Sequence, residues 1–136
     1  MNTLAEIEVM ETLEIRPTER SPWIIIDGNF CLFYIAGNSF PDNVLEFYQP
    51  VLKWLDGYVA NPCDKMIFHF RFNYVNSSTK KLLNLIMTKL SKVHAAGKVI
   101  KVIWESKETD EDLVDMGREF ALTYDFPIKV QESPAE

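Results

Sequence analysis

The chain has 136 residues, 47% of them hydrophobic and 25% charged, which suits one globular domain with a buried core and is too short for two. A formal charge of −6 argues against a general nucleic-acid binder, because neutralising phosphates needs a cationic surface. The charge is unevenly spread: residues 61–104 hold eight Lys and Arg against one acid, and residues 105–136 hold three against ten.

The first 20 residues are weakly patterned. Ile7, Val9, Leu13 and Ile15 alternate with polar residues, which predicts an edge strand or a weakly ordered segment over 1–20. The acidic start lacks the basic and apolar regions of a secretory signal, and no apolar run approaches the ~18 residues of a membrane span. A cytoplasmic protein with no membrane partner is therefore expected. Residues 21–130 read as a single domain and 131–136 as a frayed tail.

Trp23–Asp27 reads as a strand, closed by the hairpin signal Asp27-Gly28-Asn29, with Phe30–Ala36 as its antiparallel partner. The run Gly37–Asn43 is rich in turn formers. Between Asp42 and Ala60 the period changes: Val44, Leu45, Tyr48, Val51, Leu52, Leu55, Tyr58 and Val59 follow helical spacing. Pro50 lies inside this stretch, so the helix kinks there or starts later with Pro50 in its first turn.

Met66–Val75 alternates, placing Phe68, Phe70, Phe72 and Tyr74 on one face and Ile67, His69, Arg71 and Asn73 on the other. A helix follows, with Leu82, Leu83, Leu85, Ile86, Leu90 and Val93 as its apolar stripe and Gly97 at its end. Val99–Trp104 is a strand, Glu105–Thr109 a loop, Asp110–Thr123 an acidic helix and Phe126–Val130 a last strand. The predicted fold is a single-domain α/β sandwich. Its mixed sheet has four to five strands (an opening hairpin, then β-α-β-α-β), with about three helices, most or all of them on one face.

Most chemical motifs are absent. Cys31 and Cys63 are too few for a disulfide framework and read as free thiols. His69 and His94 lack metal-ligand spacing, and the five glycines are isolated, with no phosphate-cradling loop. There is no nucleophile elbow. The run Asp110–Asp112 suits a helix start, where the dipole favours acids. No cofactor and no metal site is expected.

The turn Asn76-Ser77-Ser78-Thr79-Lys80-Lys81 stands out. Three consecutive hydroxyls lie where a strand ends and a helix begins. One reading is capping, in which Asn76 or Ser77 accepts from an amide two or three residues on. The other is a modified or anion-binding turn, because a phosphate there meets free N–H groups, a favourable dipole and two lysines.

Several blocks in order resemble one family. They are Ser21-Pro22 with the strand Trp23–Asp27, the turn Gly37–Asn43, Phe47–Leu55, Phe72–Ser78, and Trp104–Gly117. Together, from Ser21 to Val130, they look like the SiaC family of bacterial regulatory phosphoproteins. The resemblance implies a fold like that of STAS-type anti-sigma-factor antagonists and a non-enzymatic role in partner switching. It implies a kinase of histidine-kinase-like ATPase type, a PP2C-like phosphatase, and a diguanylate cyclase as target in c-di-GMP signalling. The phosphoacceptor falls on Ser77, with Ser78 and Thr79 as alternatives. Tyr74, Asn76, Lys80 and Lys81 surround it, and Gly37, Ser39, Pro41 and Asn43 mark the family's turn. Two other readings compete: a small-ligand domain or minor enzyme with a pocket lined by Trp54, Phe72 and Tyr74, and a plain interaction module without phosphorylation.

Overall fold

The computed structural model describes residues 12–133. Along them run β1 (Thr12–Ile15), β2 (Trp23–Asp27), β3 (Leu32–Ser39), α1 (Val44–Ala60), β4 (Lys65–Val75), α2 (Ser77–Ala95), β5 (Val99–Lys107), α3 (Glu111–Thr123) and β6 (Ile128–Ser133). All six strands form one sheet in chain order. The first three pair antiparallel, and β3 to β6 pair parallel. The order follows from connection length: short loops join the antiparallel strands, and each parallel pair is bridged by a helix.

The sheet is larger than the four to five strands expected, because β1 is a full edge member, pairing Leu13 with Ile26 and Ile15 with Ile24. Ile7 and Val9, expected in the same strand, lie outside the described residues. The other end also gains length. Glu105–Lys107, expected in a loop, continues β5, and residues 131–133, expected to fray, pair with it in β6.

The opening hairpin is wider than a two-residue turn. Asp27 pairs with Leu32, which leaves residues 28–31 in the loop. The Asp27 carboxylate accepts from the amides of Asn29 (3.0 Å) and Phe30 (3.2 Å), a local bond set that stabilises the wider turn. Phe30 accordingly leaves the strand and stands in solvent.

Gly37-Asn38-Ser39, expected in a turn, instead completes β3. Here Gly37 sits opposite Phe72 but Asn38 opposite Tyr74, so Asn73 is an extra residue in β4. Gly37 adopts φ +113°, a conformation that favours glycine. The bulge overturns the expected face assignment: Phe72 stays in the core, but Tyr74 turns outward and is 52% exposed.

α1 starts at Val44, capped by the Asn43 side chain, which accepts from the Glu46 amide at 3.1 Å. It runs through Pro50 without starting later. Pro50 and Glu46, whose carbonyl loses its helical donor, are both on the solvent side, where water can replace the bond.

The core lies on one side of the sheet. Ile24, Ile26, Phe33, Ile35, Phe68, Phe70, Val102 and Trp104 meet Tyr48, Leu55, Leu83, Ile86, Leu90 and Phe120 from the helices. The opposite face carries Tyr34, His69, Arg71, Lys101 and Glu105, none of them fully buried. His69 Nε2 and Glu105 Oε1 are 2.9 Å apart there.

The two cysteines are not free thiols. Cys31 and Cys63 are joined in a disulfide with a Cα–Cα separation of 6.3 Å. The cause is topological. Parallel pairing begins at Leu32 opposite Ile67, so the segments entering β3 and β4 meet at the same end of the sheet.

Candidate functional site

The turn from β4 into α2 lies at the carboxyl end of the parallel strands, where open α/β sheets present their sites. The Asn76 amide donates to the Ser39 carbonyl at 3.1 Å, which anchors the turn to the end of β3. Asn76 is the helix cap: its Oδ1 accepts from the Thr79 amide at 2.8 Å, and its carbonyl accepts from the Lys80 amide at 3.0 Å. Of the two capping candidates, the structure selects Asn76 and leaves Ser77 outside that role.

The three hydroxyls separate sharply. Ser77 and Ser78 occupy the first two helical positions and are exposed. Thr79 is fully buried. Its Oγ1 donates to the Ser39 carbonyl at 3.1 Å and lies 2.9 Å from Ser39 Oγ, which is 2.7 Å from the Tyr48 hydroxyl. One proton arrangement satisfies all three: Tyr48 donates to Ser39 Oγ, Ser39 Oγ to Thr79, and Thr79 to the carbonyl. Burial pushes the Tyr48 phenol far above its ordinary range, so it stays protonated and able to donate. Thr79 is thus a structural pin, removed from the list of accessible acceptors.

The surroundings suit an anion at Ser77. The first turn of α2 carries no acidic residue, and the Asn76 cap uses only the third amide of the helix. Lys80 is held by Glu119 on α3 at 3.2 Å, whereas Lys81 is exposed and has no ion-pair partner among the described residues. Tyr74 packs edge-on against Phe40, with ring centroids 5.6 Å apart.

The residues of the 37–43 turn act indirectly. Gly37 allows the bulge, Ser39 receives the Thr79 bond, Pro41 precedes α1, and Asn43 caps it. The three aromatics considered for a pocket have different surroundings. Phe72 packs on Trp104 in the core, Trp54 stacks on Tyr58 at 5.6 Å, and Tyr74 lies beside Phe40. No helix among the described residues is long and apolar enough to cross a membrane.

Two features escaped the sequence. One is the Ser39–Thr79–Tyr48 network, since the sequence places Ser39 in a turn, Tyr48 in a helix and Thr79 in a hydroxyl run with nothing to join them. The other is an apolar groove of about 270 Å³ lined by Val44, Leu45, Ser78, Lys81, Leu82 and Leu85. Helical periodicity had placed Leu45 and Leu85 inside, but they are 59% and 41% exposed.

Comparison with known proteins gives a consistent answer. A family profile described as SiaC family regulatory phosphoprotein matches residues 15–133. An uncharacterized protein of Pseudomonas aeruginosa (strain UCBPP-PA14) is 25% identical over 122 residues, covering 90% of this chain and 97% of its own. SiaC of Pseudomonas aeruginosa aligns with TM-score 0.83 at 25% identity, over 91% of this chain and 100% of that one. A crystal structure of the diguanylate cyclase SiaD in complex with its activator SiaC, from the same organism, aligns with TM-score 0.84 at 25% identity, over 89% and 99%. The fold alignment and the profile match agree: the chain belongs to the SiaC family of regulatory phosphoproteins.

Proposed function

We propose that this chain is a non-enzymatic, cytoplasmic regulator whose partner choice is set by reversible phosphorylation of Ser77. In this reading residues 21–130 act as one regulatory domain. A kinase of histidine-kinase-like ATPase type transfers the γ-phosphoryl group of ATP to Ser77 Oγ, and the hydroxyl proton leaves. A PP2C-like phosphatase hydrolyses the ester with water. The target is a diguanylate cyclase, by analogy with the SiaD–SiaC complex.

The observation that carries the reading is the separation of the three hydroxyls: Ser77 is exposed at the first position of α2, while Thr79 is sealed under it. Asn76 already does the capping, so Ser77 is free of a structural duty. Phosphate there adds about −1.5 to −2 charge beside Lys81, which alters fit to a partner without refolding the helix. Ser78, exposed on the next position, is the second acceptor candidate.

The test is mass analysis after incubation with the cognate kinase and ATP, followed by cyclase binding. One phosphate on Ser77, lost in Ser77→Ala and weakening cyclase binding, supports the reading. Phosphate on Ser78 alone moves the acceptor by one residue. No phosphate, or equal cyclase affinity in both states, refutes the switch.

A further inference from the structure

We infer that Cys31 and Cys63 form a reversible redox-modification site, a dithiol–disulfide pair that exchanges with small thiols and disulfides of the glutathione class. The inference goes beyond the phosphorylation reading and does not depend on it.

The pair joins two loops. Cys31 ends residues 28–31, the loop between β2 and β3, and Cys63 lies in residues 61–64, between α1 and β4. Both side chains are half-buried, and their neighbours Phe30, Leu32 and Asp64 are exposed, which leaves the sulfurs within reach of a small thiol.

Cys31 adopts φ +54°, in the left-handed region, and no other non-glycine residue among the described ones has a positive φ. L side chains other than Asn, Asp and His rarely enter that region, and a glycine would close the loop with less strain. Position 31 thus suits its sulfur better than its backbone, the pattern of a residue kept for its chemistry.

The loops hold the sulfurs in place in either state. The Gly28 carbonyl oxygen lies 3.6 Å from Cys31 Sγ and 4.0 Å from Cys63 Sγ. In the dithiol, each S–H finds this acceptor where it stands; in the disulfide, neither needs one. The strand ladder begins beside the pair, with the Ile67 amide donating to the Cys31 carbonyl at 3.2 Å and Leu32 opposite Ile67. The buried core, from Ile24 to Phe126, contains neither sulfur, so the fold outlasts the opening of the bridge.

Oxidation proceeds by two exchanges. The thiolate of one cysteine attacks a sulfur of glutathione disulfide and expels one glutathione. The thiolate of the other then attacks the protein sulfur of this mixed disulfide, forms the Cys31–Cys63 bond and expels the second glutathione. Two electrons pass from the protein to the oxidant, and the two thiol protons leave with the two glutathiones. Reduction is the reverse. β4, 11 residues long, separates this pair from Ser77 by roughly 30 Å at about 3.3 Å per residue. One covalent mark therefore sits at each end of β4, and the two act independently.

The test is incubation of the folded chain in buffers of graded reduced-to-oxidised glutathione ratio, followed by acid quenching, alkylation and mass analysis. The bridge should form and open along one curve, approached from either direction. Cys63→Ser should instead carry one glutathionyl group on Cys31, the trapped mixed disulfide. Hydrogen exchange should quicken on reduction at 28–31 and 61–64 and stay unchanged at 76–79. A bridge that survives excess reduced glutathione in the folded chain, or thiols that stay free in excess glutathione disulfide, overturns the site. Loss of the circular dichroism of the folded state on reduction makes the bridge a structural staple and overturns it too. Altered exchange at 76–79 overturns the independence of the two marks.

Discussion

Thr79 Oγ1 donates to the main-chain oxygen of Ser39 across 3.1 Å, locking the first turn of α2 to the last residue of β3. Two hydroxyls in adjacent positions of one helix turn therefore differ completely in duty. Thr79→Val keeps the volume but leaves the buried Ser39 hydroxyl without the oxygen it donates to and takes one of two donors from the Ser39 carbonyl, and should lower stability by about 1–3 kcal/mol. Ser78→Ala and Ser77→Ala, at exposed positions, should stay within about 0.5 kcal/mol of wild type. Urea unfolding of the three variants checks the contrast.

The Cys31–Cys63 disulfide closes a loop with a sequence separation of 32, which encloses β3 and α1. Constraining a loop of this size in the unfolded chain is worth about 3–4 kcal/mol. Denaturation with and without reductant should show that difference, and Cys31→Ser with Cys63→Ser should match the reduced wild type. A protein equally stable in both conditions would show that the bridge is absent in solution.

Gly117 lies flat against the indole of Trp104, whose Nε1 donates to the Leu113 carbonyl at 2.9 Å. A Cβ at position 117 would fall 2.3 Å from Trp104 Cδ1, so either the indole or α3 must move. Although alanine is the better helix former, Gly117→Ala should destabilise by about 1–3 kcal/mol. Thermal unfolding monitored by tryptophan emission tests this.

Tyr58 is buried, and its hydroxyl meets no hydrogen-bond partner among the described residues. Burial pushes the phenol up from 10.0 to about 12. The stability linked to the neutral phenol is complete below about pH 10. It falls as pH rises toward 12, because the unfolded chain releases the proton first. Tyr58→Phe should raise stability by about 1 kcal/mol and flatten the alkaline decline. Stability measured across pH 8 to about 11 reads both effects.

Much of the architecture was visible in local patterns. The alternation of Met66–Val75 and the helical spacing after Asn43 and Asn76 located β4, α1 and α2 because one face of each is buried and one is not. Asn76 was legible as a cap because capping chemistry is local. Tyr74 was misplaced because a bulge at Asn73 breaks the period of two, and a bulge depends on the neighbouring strand. Leu45 and Leu85 were misplaced because helical spacing marks an apolar side without saying how much of it a neighbour covers. The Cys31–Cys63 bridge and the Ser39–Thr79 bond depend on strands meeting in space, and Ser39 and Thr79 stand 40 residues apart in sequence. The three hydroxyls of the turn were legible as a group, but only burial separates Thr79 from the exposed Ser77 and Ser78.

Stacking all three helices on one side of the sheet also distributes the tryptophans as built-in optical probes. Trp23 sits on the bare face, its indole donating to Glu14 at 3.0 Å, Trp104 is sealed in the interior, and Trp54 lies against Tyr58 within the helical layer. A partner that settles on the helices should quench or shift Trp54 emission while Trp23 remains open to an aqueous quencher such as iodide. Versions of the chain keeping one indole at a time would thus reveal from which side a partner approaches.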